Sequence, residues 1–232
     1  VAATSDKKIL RERLQEAGLP CPAFRSYATS ILSPKNVSED VQFPVVLKPT
    51  GLSGSQGVIR ANGPDEFITA FDRIKRLLKD PDIIQRKGSK PGEILVERYI
   101  PGKEVALEGL LREGELSCLA LFDKPDPLEG PYFEETLYVT PSRLSQTLQK
   151  NIVAAVSQGA EAIGLKEGPV HAELRISENT VWIIELAARS IGGRCGKVLR
   201  FGTGMSLEEI IVRHALLLPL PSLQREKQAA GV

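Results

Sequence analysis

The sequence predicts an α+β fold with mainly antiparallel sheet, and two observations support this prediction. Strand-like runs and helical runs occur in blocks and do not alternate strictly along the chain. Short turn-forming segments separate neighbouring strand-like runs, as Gly114 and the Glu178-Asn179 pair do. At 232 residues, the chain is long enough for one large domain or for two small ones that share a cleft.

The first third of the chain predicts two helices, two strands and a loop between the strands. Ser5 is the expected N-cap of the first helix, which ends at Gly18. The apolar spacing then predicts, in order, a strand at 43–47, a loop at 49–57, a strand at 58–61 and a helix at 64–78.

The rest of the chain predicts an antiparallel run of strands, a long helix, a strand hairpin and a final helix. The run comprises strands at 94–99, 104–111, 116–122 and 136–139. Ser142 is the expected cap of the long helix, which continues to Ile163. The hairpin strands are expected at 170–176 and 180–186, and the last helix at 206–217.

The composition argues against several kinds of partner. The 30 basic and 29 acidic residues leave a net charge of +1, so we expect no nucleic acid and no membrane among the partners. Cys21, Cys118 and Cys195 match neither a disulfide framework nor a zinc site. We also expect no signal peptide and no membrane span. These features predict a cytoplasmic protein.

Lys48 precedes a loop that contains Gly51, Ser53, Gly54, Ser55 and Gly57. Glycines let backbone N–H groups converge on phosphate oxygens, and the lysine adds a point charge. The order of these residues matches neither a P-loop nor the dinucleotide-binding fingerprint. Taken alone, the segment fits a phosphate-binding loop and a flexible hairpin with a solvated lysine about equally well.

A Pro-Gly turn separates Glu97, at a predicted strand end, from Glu104 on the next strand. A strand end beside a cleft can present backbone groups to a flat heterocycle, and a carboxylate that follows can accept both hydroxyls of a ribose. Taken alone, the segment favours the simpler alternative, in which both glutamates are solvated at a sheet edge.

The most informative segment is the predicted hairpin that carries Glu173 and Glu185 on its two strands. Their placement about the turn lets both side chains point from the same sheet face. Adjacent carboxylates repel unless a cation lies between them, and magnesium is the simplest such cation. Arg189 can stabilise charge on a transferring phosphoryl group. The alternative is a charged hairpin edge bridged by Arg175 or Arg189.

In order and spacing, these segments resemble the ATP-grasp superfamily, and in particular its carboxylate-amine ligase branch, which includes L-amino acid ligases. The resemblance runs from SDKKILRERLQEAGLPCP to SLEEIIVRHAL. It implies ATP and Mg²⁺ as cofactors, and two subdomains with mainly antiparallel sheets that enclose a nucleotide cleft.

The residues that the resemblance implies for ATP are Lys7 and Lys48 at the phosphates, Ser53, Gly54, Ser55, Gln56 and Gly57 in the closing loop, Glu97, Tyr99 and Ile100 at the adenine, and Glu104 at the ribose. Glu173 and Glu185 match the magnesium ligands, while Arg189 and Lys48 are the implied catalytic residues.

The resemblance also implies residues that meet the substrates, a small-molecule carboxylate and an amine. The segment FDKPDPLEGPYFEETLYVTPS is similar to the substrate side of the amino acid ligases and offers Lys124 with Glu134 or Glu135. Arg194 lies in a Gly-Gly-Arg run that resembles a stretch near the substrate carboxylate, although a surface salt bridge is the simpler alternative for it.

Ala187 departs from the family pattern, which usually has an asparagine there that helps to hold a metal ion. The sequence therefore leaves open whether one or two magnesium ions bind. His171, two residues before Glu173, is expected to be a structural histidine, with contact to the metal site as the alternative.

The resemblance divides the chain into four parts. Residues 1–21 are the opening helix of the core, 22–100 the small subdomain with the phosphate loop, 101–218 the large subdomain with the metal site, and 219–232 a tail or linker. Family members carry further domains, so we expect an excised piece whose partners include flanking domains of the same polypeptide. A homodimer is a further expectation. The isolated piece would be weakly active or inactive.

Two alternatives to a carbon-nitrogen ligase that acts through an acyl phosphate stay open. One is a carboxylase or a purine-pathway ligase of the same superfamily, because substrate choice depends on loops that the fold does not determine. The other is an ATP-binding module without turnover. ADP release that depends on a carboxylic substrate separates the enzymes from the module.

Overall fold

The protein, a computed structural model, is described at residues 2–30, 33–87, 92–226 and 228–232. The helices are α1 (Ala2–Ser5), α2 (Lys7–Glu16), α3 (Pro34–Glu39), α4 (Pro64–Leu77), α5 (Pro81–Lys87), α6 (Gln146–Ala162) and α7 (Leu207–Ala215), with a 3₁₀ helix at Cys195–Val198. The strands are β1 (Phe24–Ala28), β2 (Val45–Pro49), β3 (Ile59–Ala61), β4 (Glu93–Arg98), β5 (Lys103–Arg112), β6 (Glu115–Lys124), β7 (Val139–Thr140), β8 (Gly168–Ser177), β9 (Thr180–Ala187) and β10 (Ala230–Gly231).

Within the described residues, these strands form two sheets. A small sheet has the order β1-β4-β2-β3, and a large sheet has the order β10-β7-β6-β5-β8-β9. Every strand pair is antiparallel. The α+β prediction with mainly antiparallel sheet is therefore confirmed.

The chain passes from the small sheet to the large one between β4 and β5, which were predicted as neighbours in one antiparallel run. Gly102 makes this passage possible. Its φ is +105°, and a Cβ atom there would lie 2.0 Å from the carbonyl oxygen of Ile176. Only glycine tolerates both conditions, so the two strands enter different sheets.

The small sheet packs against α4, which runs over 64–77 as its apolar spacing predicts. Phe67, Phe71 and Ile74 are fully buried on the face of α4 that contacts the sheet. Pro64 occupies the first turn, where its missing N–H costs nothing, and acidic and basic residues complement the two ends of the helix dipole.

The large sheet is covered on both faces, because side chains alternate along each strand. On β5, Val105 and Leu107 belong to a core cluster that includes residues of α2 and α6. Ala106 and Leu110, on the opposite face, belong to a cluster that includes residues of α7 and the 3₁₀ helix. Because both of its faces are covered, β5 is apolar along nearly its whole length.

Two helix caps differ from the sequence predictions. Asp6 caps α2, since its Oδ1 accepts from the backbone N–H of Lys8 at 2.8 Å, and Ser5 ends the short helix α1 instead. Ser145 caps α6, and Ser142 instead donates to Asp123 at 2.5 Å. In both cases a neighbouring polar residue reaches the free N–H groups better.

Some elements had no counterpart in the sequence analysis, namely α1, β1, α3, α5, the 3₁₀ helix and β10. The strand predicted at 136–139 is reduced to β7, which pairs with β10. Leu220, Leu223 and Val232 pack against the α7 side of the large sheet. Among the described residues, no helix has the length and apolar character needed to cross a bilayer.

Candidate active site

A narrow cleft lies between the two sheets and is lined by residues of α2, β2, β4, β5, β8 and β9. Its inner cavity measures about 60 Å³. This inner cavity alone is smaller than the ~300–1,000 Å³ of typical ligand pockets. The predicted residues that line it are Lys7, Lys48, Ser55, Glu97, Tyr99, Ile100, Glu104, Glu135, Glu173 and Glu185.

Lys48 and Glu97 form a buried ion pair at the back of the cleft. The Nζ of Lys48 lies 2.6 Å from Oε2 of Glu97, and the two residues are 6% and 1% exposed. The other carboxylate oxygen, Oε1, accepts from Nε of Arg11 at 2.6 Å. Burial opposes ionisation, but Arg11 and Lys48 outweigh it and lower the pKa of Glu97. Lys48 and Glu97 are therefore not solvated, contrary to the simpler alternatives for these two residues.

Lys7 opens α2 and also faces the cleft. Its Nζ donates to the carbonyl oxygen of Leu52, and its backbone N–H donates to Thr50 at 2.8 Å. Burial lowers the pKa of Lys7, Glu185 opposes this effect, and the nearby charge of Lys48 adds to it. Two ammonium groups that face the same cleft can together attract an anion such as a polyphosphate.

The glycine-rich loop turns sharply between β2 and β3. Gly54, Ser55 and Gly57 have φ values of +64°, +54° and +73°. A Cβ atom at Gly57 would lie 2.9 Å from both Pro49 and Leu77, so this glycine is required by space as well as by φ. Ser53, Gly54 and Gln56 are exposed around Ser55, which lines the cleft.

Tyr99 and Ile100 follow β4 at the cleft mouth. The ring of Tyr99 contacts two guanidinium groups, with its centroid 4.0 Å from Cζ of Arg60 and 5.2 Å from Cζ of Arg175. The carbonyl oxygen of Ile100 accepts from Nη1 of Arg175 at 2.8 Å. The predicted adenine-binding segment therefore contacts residues of both sheets, Arg60 on β3 and Arg175 on β8.

On one face of the large sheet, side chains that are paired across β6, β5, β8 and β9 form three adjacent rows. The rows are Lys124, Glu104, Arg175 and Trp182; Phe122, Ala106, Glu173 and Glu185; and Ala120, Glu108, His171 and Ala187. Opposite residues of antiparallel strands point to the same face, so these rows form one polar floor beneath the cleft.

Lys124 occupies the centre of a carboxylate cluster in this floor. Its Nζ lies 2.8 Å from Glu104, 2.8 Å from Glu135 and 3.2 Å from Glu173. Burial alone would lower its pKa, but the carboxylates, Glu173 and Glu104 foremost, raise it well above the ordinary value. The second oxygen of Glu104 accepts from Arg175 at 2.8 Å. Lys124 is therefore a fully engaged cation in this structure.

Glu173 and Glu185 are directly opposite each other on β8 and β9. The regular register from the turn would pair Glu173 with Ile184, and a β-bulge at Ile184 restores the pairing with Glu185. The two glutamates share a sheet face as predicted, and the bulge, which the sequence did not predict, is what brings them opposite each other. Arg189 lies 3.8 Å from Glu185, whereas Arg175 bonds Glu104 instead of bridging this pair.

His171 connects Glu173 to a second buried glutamate. Its Nδ1 lies 2.5 Å from Glu108, and its Nε2 lies 3.6 Å from Glu173. Burial opposes the imidazolium, but the hydrogen bonds to Glu108 and Glu173 raise the pKa of His171 to about 9. Glu108 also accepts from the backbone N–H of Ile191 at 2.9 Å. His171 is thus both buried and in contact with the predicted metal ligand.

A wider cavity of about 670 Å³ adjoins the carboxylates on the far side of the glycine-rich loop. Arg189 and Arg194, both exposed, line it together with Glu135, His171 and Glu185. Arg194 makes no ion pair with any described carboxylate. Glu134 lies apart from this cavity, in a groove next to Tyr132 and α4.

Sequence reasoning missed Arg11 and Glu108. Both are fully buried charges inside apolar patterns, Arg11 next to Leu10 on the inner face of α2 and Glu108 in the apolar run of β5. A charged residue at a core position needs a buried partner, so a charge within an apolar pattern could have marked both positions in the sequence.

The sequence of the chain is similar to those of known proteins. A sequence profile of the ATP-grasp domain matches residues 41–198. Alanine-anticapsin ligase from Bacillus subtilis (strain 168) is 25% identical over 220 residues, which cover 89% of this chain and 46% of that protein.

Two solved structures extend the comparison. L-amino acid ligase from Bacillus licheniformis superposes with a TM-score of 0.80 at 27% identity, over 98% of this chain and 54% of that one. An ATP complex of carboxyaminoimidazole ribonucleotide synthase from Aspergillus clavatus gives a TM-score of 0.77 at 18% identity, over 99% of this chain and 56% of that one. The chain therefore spans about half the length of these proteins.

Proposed function

The chain belongs to the ATP-grasp family, and from this premise we propose that it is the nucleotide-binding core of an ATP- and magnesium-dependent carboxylate-amine ligase. In the proposed reaction, the carboxylate attacks the γ-phosphoryl group of ATP to give an acyl phosphate and ADP. The amine then displaces inorganic phosphate. One observation carries the proposal: two lysines and two facing glutamates line the same cleft.

The donor set fits Mg-ATP. Lys7 and Lys48 provide cationic groups for the phosphates, and the loop around Ser55 provides backbone N–H groups. Glu173 and Glu185 offer the hard oxygen ligands that magnesium prefers, and the bound ion would neutralise phosphate charge. The chain's own residues contribute positioning and electrostatics, and such a transfer needs no side-chain nucleophile.

Amino acids are the proposed substrate class. The similarity to an L-amino acid ligase and to an alanine-anticapsin ligase supports this choice. In the wider cavity, the exposed Arg194 can hold a carboxylate, and Glu135 can hold an ammonium group. Lys124 can reach a substrate only by exchanging one of its three carboxylate partners.

The test uses the longer protein that contains this chain with its flanking domains, since we propose that those domains complete the cleft. ADP release is measured with ATP, Mg²⁺ and pairs of amino acids, and separately with bicarbonate and with phosphoribosylamine. Release that requires an amino acid pair supports the proposal. Release only with bicarbonate or phosphoribosylamine, or nucleotide binding without any release, would refute it.

This chain alone should bind Mg-ADP and yet turn over slowly, because a cleft that is open on one side admits water and loses positioning. Calorimetry on the chain and ADP release on both forms of the protein provide the comparison. Full activity of the isolated chain would contradict a role for the flanking domains.

A further inference from the structure

Arg11 has an unusual environment for an arginine. It lies on α2 between the two sheets, and none of its surface is exposed. Its Nη1 atom has no hydrogen-bond partner among the described residues. A buried charge with a free donor costs stability, so its presence calls for an explanation other than stabilisation of the fold.

The first contact of Arg11 is to the small sheet. Its Nε holds Oε1 of Glu97 at 2.6 Å, while Lys48 holds Oε2 at 2.6 Å. One carboxylate thus has two cationic partners. Without Arg11, Lys48 would be the only cation paired with a buried carboxylate, and its ammonium group would be drawn towards Glu97 and away from a phosphate.

The second contact is to the large sheet. The Nη2 atom donates to the carbonyl oxygen of Ile184 at 2.6 Å. Ile184 is the bulged residue of β9, and a bulge leaves one residue outside the regular ladder. Arg11 therefore satisfies the carbonyl of the residue whose displacement places Glu185 opposite Glu173.

We propose that Arg11 is a positioning residue that sets two parts of the site at once, the phosphate-binding Lys48 through Glu97 and the metal-binding Glu185 through the Ile184 bulge. This inference rests on the proposed function. Lysine lacks the two separate nitrogens with which Arg11 holds Glu97 and Ile184, so we expect Arg11→Lys to keep the pair with Glu97 and to weaken the contact with Ile184.

The experiment measures two quantities on the whole chain for wild type, Arg11→Lys, Arg11→Met and Arg13→Met. They are the affinity for ADP without divalent metal, and the Mn²⁺ concentration that gives half-maximal stimulation of ADP binding. Arg13 is a matched control, because it lies on the same helix in an exposed ion pair with Glu16. Thermal unfolding reports whether each variant is folded.

Arg11→Lys should retain ADP affinity within about threefold and raise the Mn²⁺ midpoint about tenfold, the effect of one charge-assisted hydrogen bond. Arg11→Met should impair both quantities, and Arg13→Met neither. A purely structural role would lower the unfolding temperature without separating the two quantities.

An unchanged Mn²⁺ midpoint in folded Arg11→Lys overturns the inference, and this holds even if Arg11→Met fails to fold. Equal effects of Arg11→Lys on both quantities overturn it too. Absence of ADP binding by the wild-type chain is a different result, since it refutes the proposed function and this inference with it.

Discussion

Glu173 and Glu185 face each other across the β8–β9 hairpin because Ile184 bulges out of β9. In a regular ladder, Glu185 would point to the opposite face of the sheet, since side chains alternate along a strand. The bulge therefore brings together two carboxylates that would otherwise lie on different faces. A pair of this kind is stabilised by a cation between them.

Replacing Glu185 with Gln should abolish metal-dependent phosphoryl transfer and leave the fold intact, because the amide keeps the shape and removes the charge. Circular dichroism and ATP turnover at limiting magnesium, measured on the longer protein, test this. Glu178→Gln, at the exposed turn of the same hairpin, is the control. Unchanged turnover in Glu185→Gln would remove Glu185 from the metal site.

Lys48→Ala should weaken ADP binding by about 10- to 100-fold, the cost of losing a charge-assisted phosphate contact. Calorimetry on the isolated chain is the measurement. Lys8→Ala is matched to it, since Lys8 is a partly exposed lysine whose ion pair with Glu93 lies at 3.2 Å. Equal affinities of wild type and Lys48→Ala would place Lys48 outside the phosphate site.

Periodicity was sufficient to predict the elements with strong local patterns. The helix at 64–77 and the strands on either side of the Glu113-Gly114 and Glu178-Asn179 turns fall where apolar spacing and turn residues place them. Glu113 and Gly114, and likewise Glu178 and Asn179, have positive φ values, as two-residue hairpin turns require.

Long-range pairing was beyond the sequence analysis. Nothing local shows that β4 and β5 belong to different sheets, since that depends on how Gly102 passes Ile176. The same holds for the bulge at Ile184, whose carbonyl oxygen accepts from an arginine 173 positions away. The candidate site residues were predicted from residue type, spacing and the family resemblance, whereas the partners Arg11 and Glu108 required the tertiary structure.

The Glu108–His171 pair predicts a pH-dependent stability in metal-free buffer. The pKa of His171 is raised from 6.5 to about 9 in the folded chain. The contribution of His171 is therefore fully present at about pH 6.5 and is lost as pH rises through about 9, and the pKa of Glu108, which burial raises, sets its limit on the acid side. Urea unfolding of wild type and His171→Gln over this range tests it. The stability difference should shrink with rising pH, and a constant difference would contradict the charged pair.

Lys124→Ala should create a divalent-cation site that does not require nucleotide. The carboxylates of Glu104, Glu135 and Glu173 offer oxygen atoms within 4.8 Å of one another, and in wild type the ammonium group neutralises them. Removing it leaves three carboxylates that favour a metal ion. Mn²⁺ binding without ADP is measured against Lys150→Ala, an exposed lysine of α6. No gain in Mn²⁺ binding would refute this prediction.

Ala187 shares the sheet face of Glu173 and Glu185, since it pairs with His171 in the next row. Its methyl group offers no oxygen, so a magnesium ion bound by the two glutamates would complete its coordination shell from nucleotide and water. It lines a cavity of about 250 Å³, which leaves room for a larger side chain. Ala187→Asn should therefore lower the magnesium concentration needed for half-maximal nucleotide binding.

The control for Ala187→Asn is Ala187→Leu, which adds similar bulk without an oxygen atom. The magnesium midpoint should fall in the asparagine variant and stay level or rise in the leucine variant, because only the amide oxygen can coordinate the ion. A midpoint that moves equally in both variants would mean that bulk, not coordination, is responsible. An unchanged midpoint in folded Ala187→Asn would show that position 187 does not face the metal, or that another group already supplies the ligand.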